Sequence, residues 1–540
     1  PDLYTGKTME DKSLHWADIY ADKIIREKGE KECYTCASGI TPSGTVHIGN
    51  FREIISVDLV VRALRERGKN VRFIYSWDDY DVFRKVPKNM PKQEELASYL
   101  RKPITLVPDP YGKEESYARH HEKEIEEILP RVGIFPEYLY QAQRYRSSLY
   151  AEEMRTALVK RNEIRSILDE FRTEPLEEDW WPISVFCTKC DRDTTVVEGW
   201  DGDYGITYSC ESCGNHETID LKHTAAAKLP WRIDWPMRWA REKVDFEPAG
   251  KDHHSEGGSF DTARKVVQIF GWEAPVSFQY DFISIKGRGG KISSSSGDVI
   301  SLADVLEVYQ PEVARFLFAG TRPNTEFAIS FDLDVLKIYE DYDRCERVYF
   351  GAEAINEKKR EKERRIYELS QVERVPDKMP PQIPFRHLCN LLQVNSGDIQ
   401  KVVRSFPELS KDQAQRLEVR CTCAWNWITK FSPEDFRFSL RTASDPVPVF
   451  ETSVNASSIR AVVAAVRAVV DKLETYDERT LAEALYNAAA SVGVEATEMF
   501  KIVYSVLIGK DKGPRLASFM LIVGKDRLAE ILDRFLETSN

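Results

Sequence analysis

The chain has 540 residues, of which 42% are hydrophobic and 30% charged, and this length predicts three or four domains. Its net charge of −12 argues against a general basic coat for nucleic acid, although 76 Lys and Arg residues suffice for a local basic face. The sequence has neither a run of about twenty apolar residues nor an N-terminal secretory signal, so we expect no membrane span and a cytoplasmic location.

The chain starts with the pattern of a strand, a tight turn, a helix and a second strand. Residues 33–39 form a short apolar run that ends at a glycine, and the turn-rich sequence ITPSGTVHIGN follows. A broad apolar face then predicts a helix that ends near Gly68, and residues 71–77 predict a second buried strand. We therefore predict that residues 1–90 are the first half of a doubly wound, parallel-sheet (Rossmann-type) α/β domain.

Two cysteines in the first strand, Cys33 and Cys36, form a CxxC pair. Residues three apart on a strand face opposite sides of the sheet, so a shared metal is not expected, and both are predicted to be core residues. The ten cysteines are few and unevenly spaced, which argues against a disulfide framework.

The start of the first long helix is a candidate phosphate site. A helix N-terminus presents unpaired N–H groups and partial positive charge. His47 and Asn50 lie three apart on its first turn, and Gly49 leaves room for a flat ring to lie against the backbone. The alternative is a polar cap with a surface histidine, and local spacing leaves both interpretations open.

Residues 91–224 are predicted to be a connective insertion, with helices near 116–131 and 148–171. A C-x2-C-x19-C-x2-C pattern in it is typical of a structural zinc ribbon, placed at 183–222. The predicted ligands are Cys187, Cys190, Cys210 and Cys213. The alternatives are four unrelated buried cysteines, or ligation that includes His216 or His223.

Residues 225–300 are predicted to complete the α/β domain. Strand patterns occur after residue 240 and at 276–285, with a helix near 259–270 between them. The segment KGRGGKISSSSGD follows the last strand, and its composition alone predicts a flexible linker.

No strand is predicted after residue 300. Residues 301–384 are expected to form a helical connecting domain, in which the charged run 356–369 predicts a solvated helix. The prolines of MPPQIP mark a boundary, and residues 385–540 predict an all-α domain.

Two short motifs carry a resemblance to a known family. HIGN at 47–50 resembles the HIGH motif of class I aminoacyl-tRNA synthetases, and KISSS at 291–295 resembles their KMSKS loop. The longer blocks SGITPSGTVHIGNFRE, WDDYDVFRKVPKN, WRIDWPMRWA, VDFEPAGKDH and GKDKGPRLASF are similar to the class I lysyl-tRNA synthetases of the archaeal type. The resemblance extends from residue 38 to about residue 519.

This resemblance implies a catalytic α/β domain that activates lysine with ATP and Mg²⁺ and then charges the terminal adenosine of tRNA(Lys). It also implies a structural Zn²⁺, a C-terminal anticodon-binding domain, no membrane partner and a monomer. The implied catalytic residues are His47, Asn50 and Lys291. The implied ATP-binding residues are Ser43, His47, Gly49, Asn50, Lys291, Ser293 and Ser295. The implied amino-acid-binding residues are Gly39, Thr41, Asp78, Trp231, His253 and Tyr280.

Asp78 follows the second strand, where doubly wound sheets place ligand contacts, and it is the candidate for the α-amino group of lysine. Trp231 could supply an aromatic wall for a cation. Without the resemblance, the segment WRIDWPMRW around it predicts a packed core segment.

The sequence departs from the family at two places. The KMSKS-type loop has Ser294 where a second lysine is common, so its charge is reduced or is compensated by Arg288 and Lys286. Relatives can carry a second metal near PDPYGKEESYARH, where Asp109 and His120 remain but Lys113 and Glu114 replace the other ligands. We expect that second site to be absent, with Lys113 supplying charge instead.

Two alternatives remain open at this point. One is a class I synthetase for another amino acid, glutamate or arginine. The other is a catalytically inactive zinc-ribbon protein that binds tRNA.

Overall fold

The structure is a computed structural model that describes residues 15–287 and 299–538. Helix α1 (Trp16–Lys28) precedes the βαβ unit that the sequence predicts, which is formed by β1 (Tyr34–Ile40), α2 (Ile48–Glu66) and β2 (Val71–Trp77). β1 and β2 pair in parallel, from Tyr34 opposite Val71 to Ile40 opposite Trp77. The apolar side chains of α2 are buried on most sides, as the broad apolar face predicts.

One of the two cysteines near β1 is not a core residue. Cys36 is buried in β1, but Cys33 is exposed because it precedes the strand. The prediction that both lie in the core is therefore wrong for Cys33.

The following segment contributes a third strand, which the sequence did not reveal. Its elements are α3 (Gln93–Ala97), α4 (Tyr117–Ile128), β3 (Glu137–Tyr140), α5 (Gln141–Arg146), α6 (Ala151–Val159) and α7 (Arg161–Asp169). β3 pairs in parallel with β2, and it is too short to give a periodic pattern. A strand of the main sheet thus lies inside the range predicted as an insertion.

A small antiparallel unit follows. Its strands are β4 (Ser184–Val185), β5 (Thr195–Trp200), β6 (Gly205–Cys210), β7 (His216–Asp220) and β8 (Ala227–Lys228). β5, β6 and β7 form one antiparallel sheet, and β4 pairs with β8 where the chain enters and leaves the unit. Its apolar side chains belong to a core shared with α6 and α7.

The main sheet is completed by the next segment. Its elements are α8 (Trp231–Glu242), β9 (Ala249–Gly250), α9 (Lys251–His254), α10 (Ser259–Val266) and β10 (Gln279–Tyr280). Phe246 bridges in parallel to Cys36 and to Val276, and β9 pairs in parallel with β10. The order across the sheet is β3, β2, β1, the 246–250 segment and the 276–280 segment. This is a doubly wound parallel sheet, as predicted, with its topological switch point beside β1.

A parallel pair of strands lies beyond this sheet, and one of the two strands was not predicted. β11 (Ile283–Lys286), α11 (Leu302–Val308), α12 (Pro311–Ala319) and β12 (Phe327–Ser330) follow in order. β12 pairs with β11, although no strand was predicted after residue 300. Four residues in the sequence Phe-Ala-Ile-Ser give no clear alternation, so only the partner strand reveals this one.

The rest of the described chain is helical. The helices are α13 (Asp334–Tyr349), α14 (Glu357–Ser370), α15 (Phe385–Val394), α16 (Ile399–Arg404), α17 (Lys411–Lys430), α18 (Ala456–Val470), α19 (Glu478–Ser491), α20 (Ala496–Ile508), α21 (Leu516–Val523) and α22 (Lys525–Thr538). α15 and α17 share the large core of the parallel sheet, whereas α18–α22 form a second core. The all-α character of the C-terminal part is confirmed.

Candidate active site

The carboxyl ends of β1 and β2 open onto a cleft with a volume of ≈ 1440 Å³, which residues of β4 and β5 also line. The predicted site residues that line it are Gly39, Thr41, Ser43, His47, Asn50, Asp78, Trp231, His253 and Tyr280. Gly49 does not line it. Lys291, Ser293 and Ser295 lie outside the described residues.

The phosphate end of the cleft consists of Ser43, His47 and Asn50 at the start of α2. His47 is the N-cap residue of α2, but its side chain makes no capping hydrogen bond. The first turn of α2 contains no acidic residue, so its partial positive charge is not neutralised locally. Desolvation lowers the pKa of His47, which favours a neutral imidazole. This end therefore has hydrogen-bonding capacity for an anion.

Gly49 acts indirectly at this end. A Cβ at residue 49 would lie 3.0 Å from the Cε1 and Nδ1 atoms of the His47 ring. The glycine thus lets the imidazole lie close to the first turn of the helix, and contact of Gly49 with a ring of ATP stays a prediction.

The acidic end comprises Glu53 and Asp78, which line the cleft, and Glu247, which lines a smaller cavity that Glu53 and Asp78 also line. Glu53, one turn beyond Asn50 on α2, was not predicted. Its Oε1 accepts hydrogen bonds from Ser38 Oγ (2.7 Å) and from the Gly39 N–H (3.2 Å), and its Oε2 accepts one from the Tyr280 hydroxyl (2.5 Å). Burial raises the pKa of Glu53 despite these donors.

Glu53 has no cationic partner among the described residues, which distinguishes it from most buried carboxylates. Three neutral donors fix the position of its carboxylate but leave its charge uncompensated. Such a group can bind a substrate cation at little cost in reorganisation.

Gly39 is required by close packing at this end. A Cβ there would lie 2.8 Å from the carbonyl oxygen of Ser76 on the neighbouring strand. The absence of a side chain at this position also leaves the Gly39 N–H free to reach Glu53.

Asp78 is already engaged in an ion pair. Its Oδ1 lies 2.6 Å from Nη1 of the buried Arg238, whose Nε lies 3.1 Å from Asp234 Oδ2. Burial raises the pKa of Asp78, and Arg238 opposes that rise. Asp78 lines the cleft, and the described contacts of its side chain all use Oδ1, so Oδ2 has no partner among the described residues.

The neighbouring Asp79 points away from the cleft. It is buried and accepts a hydrogen bond of 2.7 Å from the Ala142 N–H at the start of α5. The two adjacent acidic residues after β2 therefore have different functions, one in the cleft and one in the core.

Aromatic side chains of α8 form a wall of the cleft. Trp231 is 37% exposed and stacks on the buried Trp235, with ring centroids 5.1 Å apart. His253 lies 6.2 Å from the Trp231 ring. The segment is thus both core and site, because Trp235 belongs to the core while Trp231 faces the cleft.

Behind this wall lies a smaller cavity of ≈ 70 Å³, which Glu53 and Asp78 also line. Glu247 lines it too and accepts hydrogen bonds from the indole N–H groups of Trp235 (3.0 Å) and Trp239 (3.1 Å). Burial raises the pKa of Glu247 to about 7. The acidic end therefore extends into the protein beyond the cleft surface.

The four predicted metal ligands come together in the antiparallel unit. The Sγ atoms of Cys187, Cys190, Cys210 and Cys213 all lie within 4.8 Å of one another. Zn–S bonds of about 2.3 Å in a tetrahedron place the sulfur atoms about 3.8 Å apart, so the cluster is compatible with zinc. His216 instead contacts Glu198 at 2.8 Å and His223 is exposed.

A second group of possible ligands surrounds His120. Its two ring nitrogens lie 3.1 Å from Asp109 Oδ2 and 2.8 Å from Glu124 Oε1, and His121 is close by. Asp109 also accepts hydrogen bonds from the backbone N–H groups of residues 111, 113 and 114. These hydrogen bonds order the segment, and the absence of a metal here stays a prediction.

The part of Lys113 that contacts Asp109 is its backbone N–H. Lys123 also reaches this segment, with its Nζ 3.0 Å from Glu114, and the Lys113 ammonium group opposes the rise in the pKa of Glu124 that burial causes.

No helix within residues 15–287 and 299–538 is long and apolar enough to cross a bilayer.

Comparison with known proteins gives a consistent result over the whole chain. The family model "tRNA synthetases class I (K)" matches residues 14–373, and the model "Anticodon binding domain" matches residues 433–536. The chain is 56% identical to a lysine–tRNA ligase of Treponema pallidum over 97% of its own length and 99% of that protein. It is 43% identical to a lysine–tRNA ligase of Thermococcus kodakarensis, over 95% and 98% of the two chains.

A solved glutamate tRNA ligase from Elizabethkingia meningosepticum is a more distant structural neighbour. It covers 94% of this chain and 100% of its own, with 13% identity and a TM-score of 0.42.

Proposed function

Since this chain belongs to the class I (K) family of tRNA synthetases, we propose that it is a lysine–tRNA ligase, which activates L-lysine with ATP and transfers it to the 3′-terminal adenosine of tRNA(Lys). The observation that carries the choice of amino acid is Glu53. It is a carboxylate without a cationic partner among the described residues, fixed by Ser38, Gly39 and Tyr280 in the wall of the cleft.

In the first step, a carboxylate oxygen of lysine attacks the α-phosphorus of ATP. A bond forms between that oxygen and phosphorus, the bond to the bridging oxygen breaks, and pyrophosphate leaves. In the second step, the 2′-hydroxyl oxygen of the terminal adenosine attacks the carbonyl carbon, the bond from that carbon to the phosphate oxygen breaks, and AMP leaves with the hydroxyl proton. Neither step needs a covalent enzyme intermediate, so the protein contributes positioning and stabilisation of charge.

The acidic end binds the amino acid. Glu53, with the hydroxyl of Tyr280, accepts the ε-ammonium group, and the free Oδ2 of Asp78 accepts the α-amino group. Trp231 and His253 enclose the stem between them. A glutamate side chain would bring a carboxylate next to Glu53, and this repulsion disfavours it.

The phosphate end binds ATP. Neutral His47 and Asn50 donate to phosphate oxygens beside the N-terminus of α2, and Ser43 extends this set. By resemblance, Lys291, Ser293 and Ser295 complete the ATP contacts. Mg²⁺ would neutralise charge on the phosphates when it is bound with ATP.

Zn²⁺ bound by the four cysteines would be structural, since four thiolates leave no open coordination position. The anticodon-binding model matches residues 433–536, which include α18–α21 and most of α22, so we assign anticodon binding to these helices. Lysine, ATP and tRNA(Lys) are the partners, and the cytoplasm, where tRNA is charged, is the proposed location.

The experiment that tests this function is tRNA charging. Purified protein should attach labelled lysine to a tRNA(Lys) transcript in the presence of ATP and Mg²⁺. Charging of the same transcript with lysine should disappear when its 3′-terminal adenosine is removed. Failure to charge any tRNA with lysine would refute the proposal.

A further inference from the structure

A buried arginine precedes Glu53 on α2. Arg52 is 2% exposed, and no carboxylate forms an ion pair with it within residues 15–287 and 299–538. Buried guanidinium groups normally have a charged partner, because desolvation of an unpaired cation is costly. Burial lowers the pKa of Arg52 to about 10, so the side chain is still protonated at neutral pH.

Backbone carbonyl groups take the place of a carboxylate. The Nη1 atom of Arg52 donates to the carbonyl oxygen of Asp281 (2.7 Å), with a longer contact to that of Phe282 (3.5 Å). Its Nη2 atom donates to the carbonyl oxygens of Arg322 (2.8 Å) and Thr325 (2.7 Å).

These carbonyl groups belong to two segments that contact each other. Residues 281–282 directly follow Tyr280, and residues 322–325 precede β12. The Asp281 N–H donates to the Pro323 carbonyl oxygen (2.8 Å), and the Phe327 ring lies 5.0 Å from the guanidinium carbon. One side chain of α2 thus holds both segments.

The same helix also holds the side chain of Tyr280. The Tyr280 hydroxyl donates to Glu53, the residue after Arg52. Consecutive residues of α2 therefore fix the backbone that follows Tyr280 and the hydroxyl of Tyr280 itself. His47 and Asn50, at the start of the same helix, line the phosphate end.

We infer that Arg52 is a positioning residue for the amino-acid pocket, which holds the backbone after Tyr280 so that the Tyr280 hydroxyl stays on Glu53. This inference rests on the proposed lysine activation. The rigid, planar fork of a guanidinium group reaches carbonyl oxygens on two segments at once, whereas the single ammonium group of a lysine reaches fewer of them. An anchor that acts only through apolar packing would not need this geometry.

The test compares Arg52→Lys and Arg52→Met by lysine-dependent ATP–pyrophosphate exchange. We expect the KM for lysine to rise roughly tenfold to a hundredfold in Arg52→Met, the range for losing hydrogen bonds to a charged group. The KM for ATP should change by less than about threefold, because the described contacts of Arg52 are with the segments 281–282 and 322–327 and not with His47 or Asn50. Arg52→Lys should recover part of the loss.

A double-mutant cycle shows whether Arg52 acts through Tyr280. If it does, Arg52→Lys combined with Tyr280→Phe should raise the KM for lysine by less than the product of the two single effects. Independent, multiplicative effects would overturn the inference.

Arg315 provides a matched control. It is also fully buried and donates to the carbonyl oxygens of Val132 (2.9 Å) and Leu369 (2.9 Å), and it pairs with Asp58 on the same helix. Arg315→Lys should lower the melting temperature but leave the KM for lysine unchanged. Equal KM values for lysine in Arg52→Lys, Arg315→Lys and the unmodified protein would overturn the inference.

Failure of the proposed function and failure of the role of Arg52 can be distinguished. If the unmodified protein does not exchange pyrophosphate with lysine, the proposed function fails. If it does so but Arg52→Lys has an unchanged KM for lysine, only the role of Arg52 fails. Should Arg52→Met not fold, Arg52→Lys carries the test, with calorimetric titration of lysine as a second measurement.

Discussion

The acidic end and the phosphate end of the cleft lie a turn apart on α2, yet they are built in different ways. At the acidic end, Glu53 and Glu247 already have their hydrogen-bond donors, and Asp78 is paired with Arg238. At the phosphate end, the His47 side chain makes no capping bond. The acidic end is therefore organised before substrate binds, whereas the phosphate end keeps donors available for ATP.

This difference indicates that the choice of amino acid and the binding of ATP depend on different ends of the cleft. Under the proposed function, preorganised charge decides which amino acid enters, because rearranging buried carboxylates would be costly. Under the proposed function, contacts to ATP are made by neutral donors and a helix N-terminus, which suit any nucleoside triphosphate phosphate chain. Mutations at the two ends should therefore affect different kinetic constants.

The largest effect is expected at the acidic end. Glu53→Gln keeps the shape of the side chain but removes the charge that faces the ε-ammonium group. We expect kcat/KM for lysine to fall by a factor on the order of 10³, which corresponds to the loss of a desolvated ion pair. Steady-state ATP–pyrophosphate exchange measures it.

Glu242→Gln is the matched control for Glu53→Gln. Glu242 lines the same small cavity, but it is paired with Arg72 at 2.7 Å and also with Arg144. Its substitution should leave the KM for lysine nearly unchanged. A similar loss in both variants would mean that the two ends do not differ as proposed.

The next effect belongs to the phosphate end. His47→Ala removes a donor to the phosphates, and kcat for exchange should fall by a factor on the order of 10². The KM for lysine should barely change, since Glu53 and Tyr280 are untouched. His254→Ala, at a half-buried histidine bonded to Ser277 (2.9 Å), is the control and should retain kcat. A rise in the KM for lysine in His47→Ala would contradict the prediction that the two ends affect different kinetic constants.

The effect of pH on kcat/KM for lysine should be smaller than the effects of these substitutions, and it should arise at the acidic end. Burial raises the pKa of Glu53 above its usual value of 4.5, and only its deprotonated form binds an ammonium group strongly. As the pH falls through this raised pKa, kcat/KM for lysine should decrease, by about tenfold for each further pH unit. The profile for ATP at saturating lysine should lack this limb. An acid limb at or below 4.5 would contradict the prediction.

The smallest effect on lysine activation is expected at the cysteine cluster. Cys190→Ser with Cys213→Ser should abolish binding of one zinc ion per chain, measured by metal analysis of the purified protein. The KM for lysine should change by less than about threefold, because the cluster is outside the acidic end. Cys33→Ser, at an exposed cysteine, is the control and should keep the metal. A zinc content unaffected by loss of Cys190 and Cys213 would refute the site.

Local sequence signals located part of the phosphate end but left open whether it binds phosphate. A strand, a turn and an apolar helical face place His47 and Asn50 at a helix N-terminus without knowledge of the rest of the chain. The four cysteines were equally accessible, since their spacing alone predicts the cluster that the structure forms.

The acidic end was harder to predict because it is assembled from distant residues. Asp78 was named from its position after the second strand, whereas Trp231, His253 and Tyr280 were named through the family resemblance. The structure places all four in one cleft. Glu53 was missed because nothing in the local sequence distinguishes it from an ordinary helix residue. The available signal was an acidic side chain near the start of a helix whose neighbours are almost all apolar.

The short strands β3 and β12 were missed for a different reason. Four residues do not establish a period of two, and each strand is defined by a partner far away in sequence. Their positions follow from the assembled sheets and not from local patterns.

The central claim is that this cleft activates lysine, and amino-acid-dependent ATP–pyrophosphate exchange tests it most directly. The purified protein should be assayed separately with lysine, arginine and glutamate at equal concentrations. We predict exchange with lysine that exceeds exchange with the other two by orders of magnitude, and its loss in Glu53→Gln. Exchange that is stronger with arginine or glutamate, or absent with all three, would contradict the account.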